Sequence, residues 1–198
     1  MDTINSTLQY YQKNAEDFAQ GTVSAEMHDT RLRFYRHLPP RGNILDFGCG
    51  SGRDSKAFKD MGLNVEASDG SLELCRIAER VAGIPVRHLL FNELDAKEYY
   101  DGIWACASIL HLPKAELEEV MLRISTALKA GGVLYSSFKY GTFEGIRNGR
   151  YFTDFTEETL KEFMAGIPSL QAFDVWITGD VRTGREEERW INMLARRS

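Results

Sequence analysis

The ten residues from 43 to 52, Asn-Ile-Leu-Asp-Phe-Gly-Cys-Gly-Ser-Gly, constrain the fold of this chain more than any other segment. The short apolar run predicts a buried strand, and the glycines after it allow a sharp turn and a close approach of the backbone to a ligand. A helix beginning near Arg53 would place its free N–H groups beside that turn. Together these features predict the first half of a nucleotide-type site at the carboxyl end of a parallel sheet. The alternative is an ordinary strand, turn and helix without a ligand.

The spacing of the glycines limits the kind of nucleotide. A dinucleotide fingerprint, Gly-x-Gly-x-x-Gly, would place its third glycine at position 53, but that glycine comes one residue earlier, at Gly52. Asp46 also stands two residues before Gly48, where its carboxylate would repel a pyrophosphate and attract a ligand with a cationic amino-acid end. The segment therefore argues against a dinucleotide.

The same segment fits motif I of the class I S-adenosylmethionine (SAM)-dependent methyltransferases, hydrophobic-hydrophobic-Asp/Glu-x-Gly-x-Gly-x-Gly, at every fixed position. Over residues 5–197 the chain resembles small stand-alone bacterial members of this superfamily, such as tellurite-resistance and small-molecule methyltransferases. The resemblance implies an enzyme that transfers a methyl group from SAM to a small acceptor and leaves S-adenosylhomocysteine. It implies SAM contacts from the motif residues Asp46, Gly48, Cys49, Gly50 and Gly52.

Length and composition agree with a globular enzyme of one domain. The 198 residues suffice for one substantial core, and the net charge of −5 gives no electrostatic reason to expect a nucleic acid. No apolar run approaches the roughly 18 residues that span a bilayer, so no membrane partner is expected. The first six residues lack the features of a secretory signal, and Cys49, Cys75 and Cys106 show no paired spacing. We therefore expect a cytoplasmic protein with reduced thiols. His28, His37, His88 and His111 have no ligand spacing, so no metal is expected.

Strand and helix signals alternate from residue 43 onward, which predicts a parallel sheet with crossover helices. Helices are predicted at about 5–20, 24–37 with Ser24 as N-cap, 52–61, 72–82, 113–129 and 157–165, and strands at 43–47, 63–68, 85–91, 101–107, 133–138, 170–177 and 188–196. The last two strands are joined without a helix, which predicts an antiparallel hairpin. The resemblance implies a Rossmann-like seven-stranded α/β sheet in the order 3-2-1-4-5-7-6, with helices on both faces. Residues 139–154 are predicted to form a long active-site loop, and 178–187 a polar loop.

We expect one methyltransferase domain over 1–198, with an N-terminal helical cap at 1–40, a SAM-binding half at 41–138 and an acceptor-side half at 139–198. In methyltransferases of this kind the N-terminal helices cover the SAM pocket, so the resemblance implies a role for Tyr11. Its aromatic face over a sulfonium would give a cation–π contact. The alternative is that Tyr11 only holds its helix against the sheet.

The second predicted strand ends at Asp69, where a carboxylate can accept hydrogen bonds from both ribose hydroxyls of a nucleoside. The alternative for Asp69 is a helix-capping role. The resemblance extends the SAM pocket to further residues: Gly70, Ser71, Leu72, Phe91, Asn92, Ala107 and Ser108. Asn92 departs from the Asp that the family often has at the adenine contact, although its amide oxygen could accept the same hydrogen bond.

His111 follows the fourth predicted strand, in a Ser-Ile-Leu-His segment that resembles one common in small-molecule methyltransferases. An unperturbed histidine pKa near 6.5 suits a general base, so His111 is the candidate catalytic residue. The alternative is that His111 caps the next helix or orders the loop.

The acceptor site is predicted from cationic and aromatic residues in the C-terminal third: Lys139, Arg147, Arg150, Tyr151 and Trp176. Arginines in a cleft bind carboxylate or phosphate through two hydrogen bonds, which favours a small anionic acceptor. The alternative is that these cations pair with Asp154, Glu144 and Asp180 and form a salt-bridged lid.

Three other functions compete with a small-molecule methyltransferase. A nucleotide-dependent oxidoreductase is disfavoured by Asp46 and by the glycine spacing. A non-catalytic SAM-binding module stays open because the chain has no strong catalytic base. A nucleic-acid methyltransferase would be expected to carry a basic stripe and often an Asn/Asp-Pro-Pro-Tyr/Phe segment after the fourth strand, where this chain has Ala-Ser-Ile-Leu at 107–110. The acceptor, the atom that is methylated and the choice between monomer and homodimer are left open by the sequence.

Overall fold

The computed structural model describes residues 3–182, 184–185 and 187–198. The helices are α1 (Thr3–Lys13), α2 (Ala15–Thr22), α3 (His28–Tyr35), α4 (Arg53–Asp60), α5 (Leu72–Ala82), α6 (Lys114–Ala127) and α7 (Glu157–Ala165). The strands are β1 (Asn43–Phe47), β2 (Asn64–Asp69), β3 (Val86–His88), β4 (Tyr100–Ala105), β5 (Leu128–Lys139), β6 (Glu144–Arg147), β7 (Arg150–Thr153), β8 (Leu170–Gly179) and β9 (Arg189–Arg197). Short 3-10 turns lie at Phe91–Glu93 and Ile109–His111.

Seven strands form one sheet in the order β3-β2-β1-β4-β5-β9-β8. The first five are parallel to their neighbours, and β9 runs antiparallel to both β5 and β8. Because β8 and β9 are the sixth and seventh strands of the prediction, the predicted order and the antiparallel last strand are confirmed. The carboxyl ends of β1, β2 and β4 meet at one edge of this sheet, where the order of the strands reverses.

Side chains pack on both faces of the sheet, as expected for parallel strands. Ile44 belongs to a buried cluster with Phe34, Phe58 and Trp104 on one face. The next residue, Leu45, belongs to the larger cluster on the other face. Successive residues of a strand point to opposite faces, so β1 joins the two halves of the core.

The N-terminal helices differ from the prediction. The single helix predicted at 5–20 is broken at Asn14, which has φ −115° and ψ 21°. Its side-chain amide donates to the Tyr10 carbonyl at 2.8 Å, a local hydrogen bond that competes with helix continuation. The second helix begins at His28 instead of Ser24, so the predicted capping role of Ser24 is wrong. The break lets α1 and α2 turn over the sheet edge.

The prediction of a long loop at 139–154 is wrong, because β6 and β7 form a two-stranded hairpin there. Asn148 and Gly149 connect the two strands, with φ values of 49° and 77°. This dipeptide is the strongest short-range signal for a tight hairpin turn. The hairpin holds its cations and aromatic residues on a rigid backbone.

Other strand boundaries shift by a few residues. The predicted strand at 85–91 is short, because the Glu93 carboxylate accepts from the Leu90 N–H at 2.9 Å and starts a 3-10 turn. Strand β5 begins at Leu128, inside the predicted helix, and its register with β4 shifts across the segment that contains the two glycines at 131 and 132. The predicted polar loop 178–187 includes Thr183 and Glu186, and the predicted cap begins with Met1 and Asp2; these four residues lie outside the described residues.

Candidate active site

A cavity of about 500 Å³ opens at the carboxyl edge of the sheet, beneath α1 and α2. Its wall contains 14 of the 20 predicted site residues: Tyr11, Asp46, Gly48, Cys49, Gly50, Asp69, Gly70, Phe91, Asn92, Ala107, Ser108, His111, Lys139 and Arg150. The other six, Gly52, Ser71, Leu72, Arg147, Tyr151 and Trp176, are described residues that lie outside the wall. The fold thus brings residues from the N-terminal helices, the glycine turn and the hairpin β6–β7 to one cavity.

The first two glycines of the motif shape the cavity directly. Gly48 and Gly50 have φ values of 81° and 55°, in the left-handed region that favours glycine. A Cβ on Gly48 would stand 2.5 Å from the Ser108 Cβ, and one on Gly50 would stand 3.1 Å from the Phe18 ring. The missing side chains therefore let Ser108 and Phe18 pack closely against the glycine turn in the cavity wall.

Asp69 fixes the glycine turn and faces the cavity. One carboxylate oxygen accepts from the Gly50 N–H and the other from the Ser71 N–H, each at 2.9 Å. Burial raises the pKa of Asp69 above its ordinary value, and these backbone hydrogen bonds act against that shift. A carboxylate has about four lone-pair sites, so two remain for the paired hydroxyls of a ribose.

The neighbours of Asp69 have structural roles. Ser71 caps α5, since its hydroxyl accepts from the Leu74 N–H at 3.3 Å, and it also contacts Gln12 of α1. Leu72 is 46% exposed on the outer side of α5. At the next strand, the Phe91 ring packs edge-on against Phe47 with centroids 4.9 Å apart and lines the cavity. This wall offers an apolar surface for a planar base.

Asp46 is the buried acid at the other end of the turn. It is 2% exposed, and the Ser55 hydroxyl donates to its carboxylate at 2.5 Å. Burial first, and then the negative charge of Asp54, raise the pKa of Asp46 to about 7. Among the described residues no cation pairs with Asp46 within 4.0 Å, so a positively charged ligand would stabilise its ionised form.

A buried ionic network next to Asp46 was not predicted from the sequence. Asp54 accepts from both Arg53 and Arg31, with shortest distances of 2.6 Å and 2.8 Å, and from the Trp104 indole at 3.0 Å. Burial alone would raise the pKa of Asp54, but the charges and hydrogen bonds of the two arginines outweigh it and hold that pKa low. The signal in the sequence was Arg53-Asp54 directly after the glycines. Phe18, which lines the cavity beside Gly50, was not predicted as a site residue either.

His111 is held at both ring nitrogens. Its Nδ1 lies 2.6 Å from the Tyr151 carbonyl oxygen, and its Nε2 lies 2.8 Å from the Tyr11 hydroxyl. Burial lowers the pKa of His111 to about 4, so the ring is neutral at physiological pH. Because both ring nitrogens already make hydrogen bonds, any polar contact of this pair with a ligand would come from the Tyr11 hydroxyl.

The predicted acceptor-side cations divide into paired and unpaired residues. Arg147 makes two hydrogen bonds to Asp154, at 2.5 Å and 2.6 Å, and Lys139 pairs with Glu188 and Asp180. For these two residues the salt-bridged alternative holds. Arg150 lines the cavity and makes no salt bridge with any carboxylate of the described ranges.

The predicted aromatic residues of the acceptor side lie away from the cavity. The Tyr151 hydroxyl donates to Glu144 at 3.2 Å, on the outer side of the hairpin. The Arg33 guanidinium lies 4.3 Å from the centroid of the Trp176 ring. Trp176 packs against the buried cluster that contains Ile44 and Trp104. Phe152 and Trp190 line the wall in their place.

The residues that the structure describes contain neither a metal-binding cluster nor a membrane-spanning helix. Within those ranges no group of three or more His, Cys, Asp or Glu side chains is arranged to hold a metal ion. No described helix combines the length and the apolar character needed to cross a bilayer.

Comparison with known proteins gives matches in both sequence and structure. Residues 19–163 match a protein family described as a methyltransferase domain. The chain is 31% identical over 114 residues to YqeM of Bacillus subtilis (strain 168), which is provisionally named as a methyltransferase. That match covers 52% of this chain and 46% of YqeM, so the chain spans about half the length of the curated relative it matches.

Solved structures share the fold. The 1,6-didemethyltoxoflavin-N1-methyltransferase of Burkholderia thailandensis, solved with 1,6-didemethyltoxoflavin and S-adenosylhomocysteine, superposes with a TM-score of 0.81 at 21% identity. The match covers 98% of this chain and 88% of that one. The magnesium protoporphyrin IX methyltransferase of Synechocystis PCC 6803, solved with bound SAM, gives 0.74 at 16% identity, covering 100% and 98%. At these identities the likeness concerns the fold.

Proposed function

Because the chain belongs to the class I SAM-dependent methyltransferase superfamily, we propose that it transfers the methyl group of SAM to a small-molecule acceptor that carries an anionic group. In this proposal residues 1–40 cap the site, residues 41–138 hold SAM and residues 139–198 supply the acceptor side, all within one domain. The anionic acceptor rests on one observation: the Arg150 guanidinium lies in the cavity wall and pairs with no carboxylate in the part of the chain that the structure describes.

The surroundings of Arg150 favour an anion as its missing partner. Its guanidinium stacks 4.5 Å from the Tyr10 centroid and donates to the Tyr11 hydroxyl at 3.4 Å. The Nε–H is buried and has no hydrogen-bond partner among the described residues. A guanidinium has five donors in a fork that matches a carboxylate or a phosphate, and a buried unpaired donor costs about 1–3 kcal/mol. An acidic group on the acceptor would supply the anionic partner that this guanidinium lacks within the described ranges.

The residues of the cavity fit SAM as the methyl donor. Asp69 would hold the ribose hydroxyls, Asp46 would face the cationic amino-acid end, and the glycine turn would let the ligand come close to the backbone. Phe91 and Asn92 would hold the adenine. When bound, SAM supplies a methyl group on a sulfonium, which is a good leaving group.

The protein's own contribution is positioning and exclusion of water. Tyr11 and Phe18, whose ring centroids lie 5.0 Å apart, lie in the N-terminal helices and close the cavity above the glycine turn. On the acceptor side Arg150 would orient the acceptor through its acidic group. Holding two reactants in line can lower a barrier by about 7–11 kcal/mol in favourable cases, so no strong acid or base is required.

The proposal is tested by separating SAM binding from acceptor use. Calorimetry with SAM comes first, followed by a screen of small carboxylates and phosphate esters for production of S-adenosylhomocysteine. We expect Arg150→Gln to leave SAM affinity within about threefold and to raise the KM for an acidic acceptor at least about tenfold. Arg196→Gln is the matched control, because Arg196 also stacks on an aromatic ring, that of Phe173, on the far edge strand. Equal kinetics in the Arg150 variant and the wild type would contradict the anionic acceptor.

A second candidate function is a non-catalytic SAM-binding module. It is favoured by His111, since both its nitrogens are engaged and its pKa is lowered by burial. This alternative predicts SAM binding with no turnover on any acid in the screen.

A further inference from the structure

The hydroxyl of Tyr11 has a fixed hydrogen-bonding direction. A backbone carbonyl can only accept, so the 2.6 Å contact between His111 Nδ1 and the Tyr151 carbonyl places the ring proton on Nδ1. The neutral imidazole then has a lone pair on Nε2, 2.8 Å from the Tyr11 hydroxyl. Tyr11 therefore donates its only hydrogen to His111 and cannot donate to a ligand.

The same oxygen keeps the capacity to accept. A phenolic oxygen accepts up to about two hydrogen bonds, and Arg150 Nη1, at 3.4 Å, occupies one of these positions. Tyr11 lies in the cavity wall next to Arg150. A ligand at this place would meet an oxygen that accepts a hydrogen and a guanidinium that donates several.

Burial keeps Tyr11 protonated in the free protein. Burial raises the pKa of Tyr11 above 10.0, the charge and hydrogen bond of Arg150 act against this, and the carboxylate of Asp69 and the neighbouring Tyr10 act with it. Arg182 of the loop after β8 also faces the tyrosine. Because the Tyr11 hydroxyl stays protonated, it donates its hydrogen to His111 Nε2, as the tautomer with its proton on Nδ1 requires.

We propose that Tyr11, oriented by His111, is the hydrogen-bond acceptor of the acceptor site, and that with Arg150 it selects molecules carrying a hydroxyl or amine hydrogen beside an acidic group. This inference rests on the proposed function and specifies its substrate class. Tyr11 touches the acceptor, whereas His111 is a positioning residue that acts through Tyr11.

The arrangement also gives the proton a route during methyl transfer. The hydrogen of the acceptor's hydroxyl or amine passes as a proton to the Tyr11 oxygen, while the tyrosine's own proton passes to His111 Nε2. The acceptor's lone pair forms the new bond to the methyl carbon, and the electron pair of the broken bond remains with the methyl donor. The acceptor loses one proton and His111 gains one, which leaves to solvent after the product departs.

A binding experiment with simple probes tests the selection. The protein saturated with S-adenosylhomocysteine is titrated by calorimetry with the three hydroxybenzoate isomers, their methoxybenzoate ethers and benzoate. We expect at least one hydroxybenzoate to bind about tenfold or more tightly than its methyl ether. Tyr11→Phe should reduce that ratio below about threefold while leaving the affinity for S-adenosylhomocysteine within about threefold. Arg150→Gln should weaken the binding of every one of these acids, including the methoxybenzoates.

A spectroscopic readout tests the role of His111 without any acceptor. In ¹⁵N-labelled protein the His111 resonances should report a proton on Nδ1 and none on Nε2 between pH 5.5 and 8. His111→Gln should lower the discrimination between hydroxybenzoate and ether as Tyr11→Phe does, while Tyr99→Phe, at an exposed tyrosine outside the cavity, should leave it unchanged.

The outcomes separate this inference from the proposed function. Failure of S-adenosylhomocysteine to bind overturns the proposed function itself. Binding of that product with equal affinity for hydroxybenzoates and their ethers, absence of binding by every hydroxybenzoate, or a proton on His111 Nε2 overturns the role of Tyr11 and leaves the SAM site standing.

Discussion

Gly52 lies against the backbone of Ala78, so close that a Cβ on Gly52 would stand 2.8 Å from both the Cα and the carbonyl oxygen of Ala78. Gly52 precedes α4, and Ala78 lies in the middle of α5. The third glycine of the motif therefore sets the distance between these two helices and does not line the cavity. This contact fixes the glycine turn relative to Asp69, which precedes α5.

We expect Gly52→Ala to destabilise the protein by about 3 kcal/mol, because it adds a clash with backbone atoms to the strain of a left-handed residue. Gly131→Ala is a matched control, since Gly131 has φ 77° against 78° for Gly52 but nothing within 4 Å of its Cβ position. Its loss should be about 1 kcal/mol. Chemical denaturation measures both free energies of unfolding, and equal losses would show that the Ala78 contact is unimportant.

Because Asp54 is buried, its replacement should cost more free energy of unfolding than that of Gly52. Asp54→Ala removes the partner of Arg53 and Arg31 and should destabilise the protein by about 3–5 kcal/mol, because it leaves two cations without their carboxylate. Asp60→Ala breaks the exposed pair with Lys56 and should cost less than about 0.5 kcal/mol. Thermal unfolding of both variants compares them; a similar shift in Tm for the two would contradict the assignment of Asp54 to a buried network.

Most of the fold could be predicted from local patterns in the sequence. The alternation of apolar runs with turn residues predicted the strands and helices between 43 and 138, and the missing helix between the last two strands predicted the antiparallel β9. The hairpin β6–β7 was missed although its Asn148-Gly149 turn was visible, because the aromatic and cationic residues around it suggested a loop. Asn14 breaks α1 from α2 through one side-chain hydrogen bond, which periodicity does not register.

The composition of the site could be predicted, but the pairing of its side chains could not. Arg147 and Arg150 are opposite each other in the hairpin and have the same sequence character, yet one pairs with Asp154 and the other stacks on Tyr10. The bond between Tyr11 and His111 joins residues 100 positions apart. Such contacts depend on the register of strands and on the angle at which α1 crosses the sheet edge, and neither follows from local pattern.

His111 should contribute less to the stability of the protein in acid. Burial lowers its pKa to about 4, so between pH 6.5 and 4 the unfolded chain binds a proton that the folded protein does not. The contribution of His111 to stability therefore falls as the pH falls through this window, by up to about 2–3 kcal/mol. Relative to the wild-type protein, His111→Gln should raise the unfolding free energy at pH 4.5 compared with that at pH 6.5, whereas His28→Gln on the surface should not. An unchanged slope in the His111 variant would contradict a buried neutral imidazole.

Asp46 should link the binding of SAM to the loss of a proton. Its pKa is raised to about 7, so in the free protein the carboxyl is protonated below that pH, and the folded state is progressively destabilised as the pH rises from about 4 to 7. A cationic ligand prefers the ionised form, so the affinity for SAM should fall by up to about tenfold per pH unit below 7 and level off above it. Asp46→Asn should abolish this dependence, weaken binding at pH 8, and stabilise the free protein at that pH, because the amide carries no charge to bury.

Calorimetry at pH 6, 7 and 8, in two buffers of different ionisation enthalpy, measures both the affinity and the protons released. Asp60→Asn, at an exposed acid, serves as the control, and pH-independent binding by the wild-type protein would mean that Asp46 does not face the cationic end of the ligand.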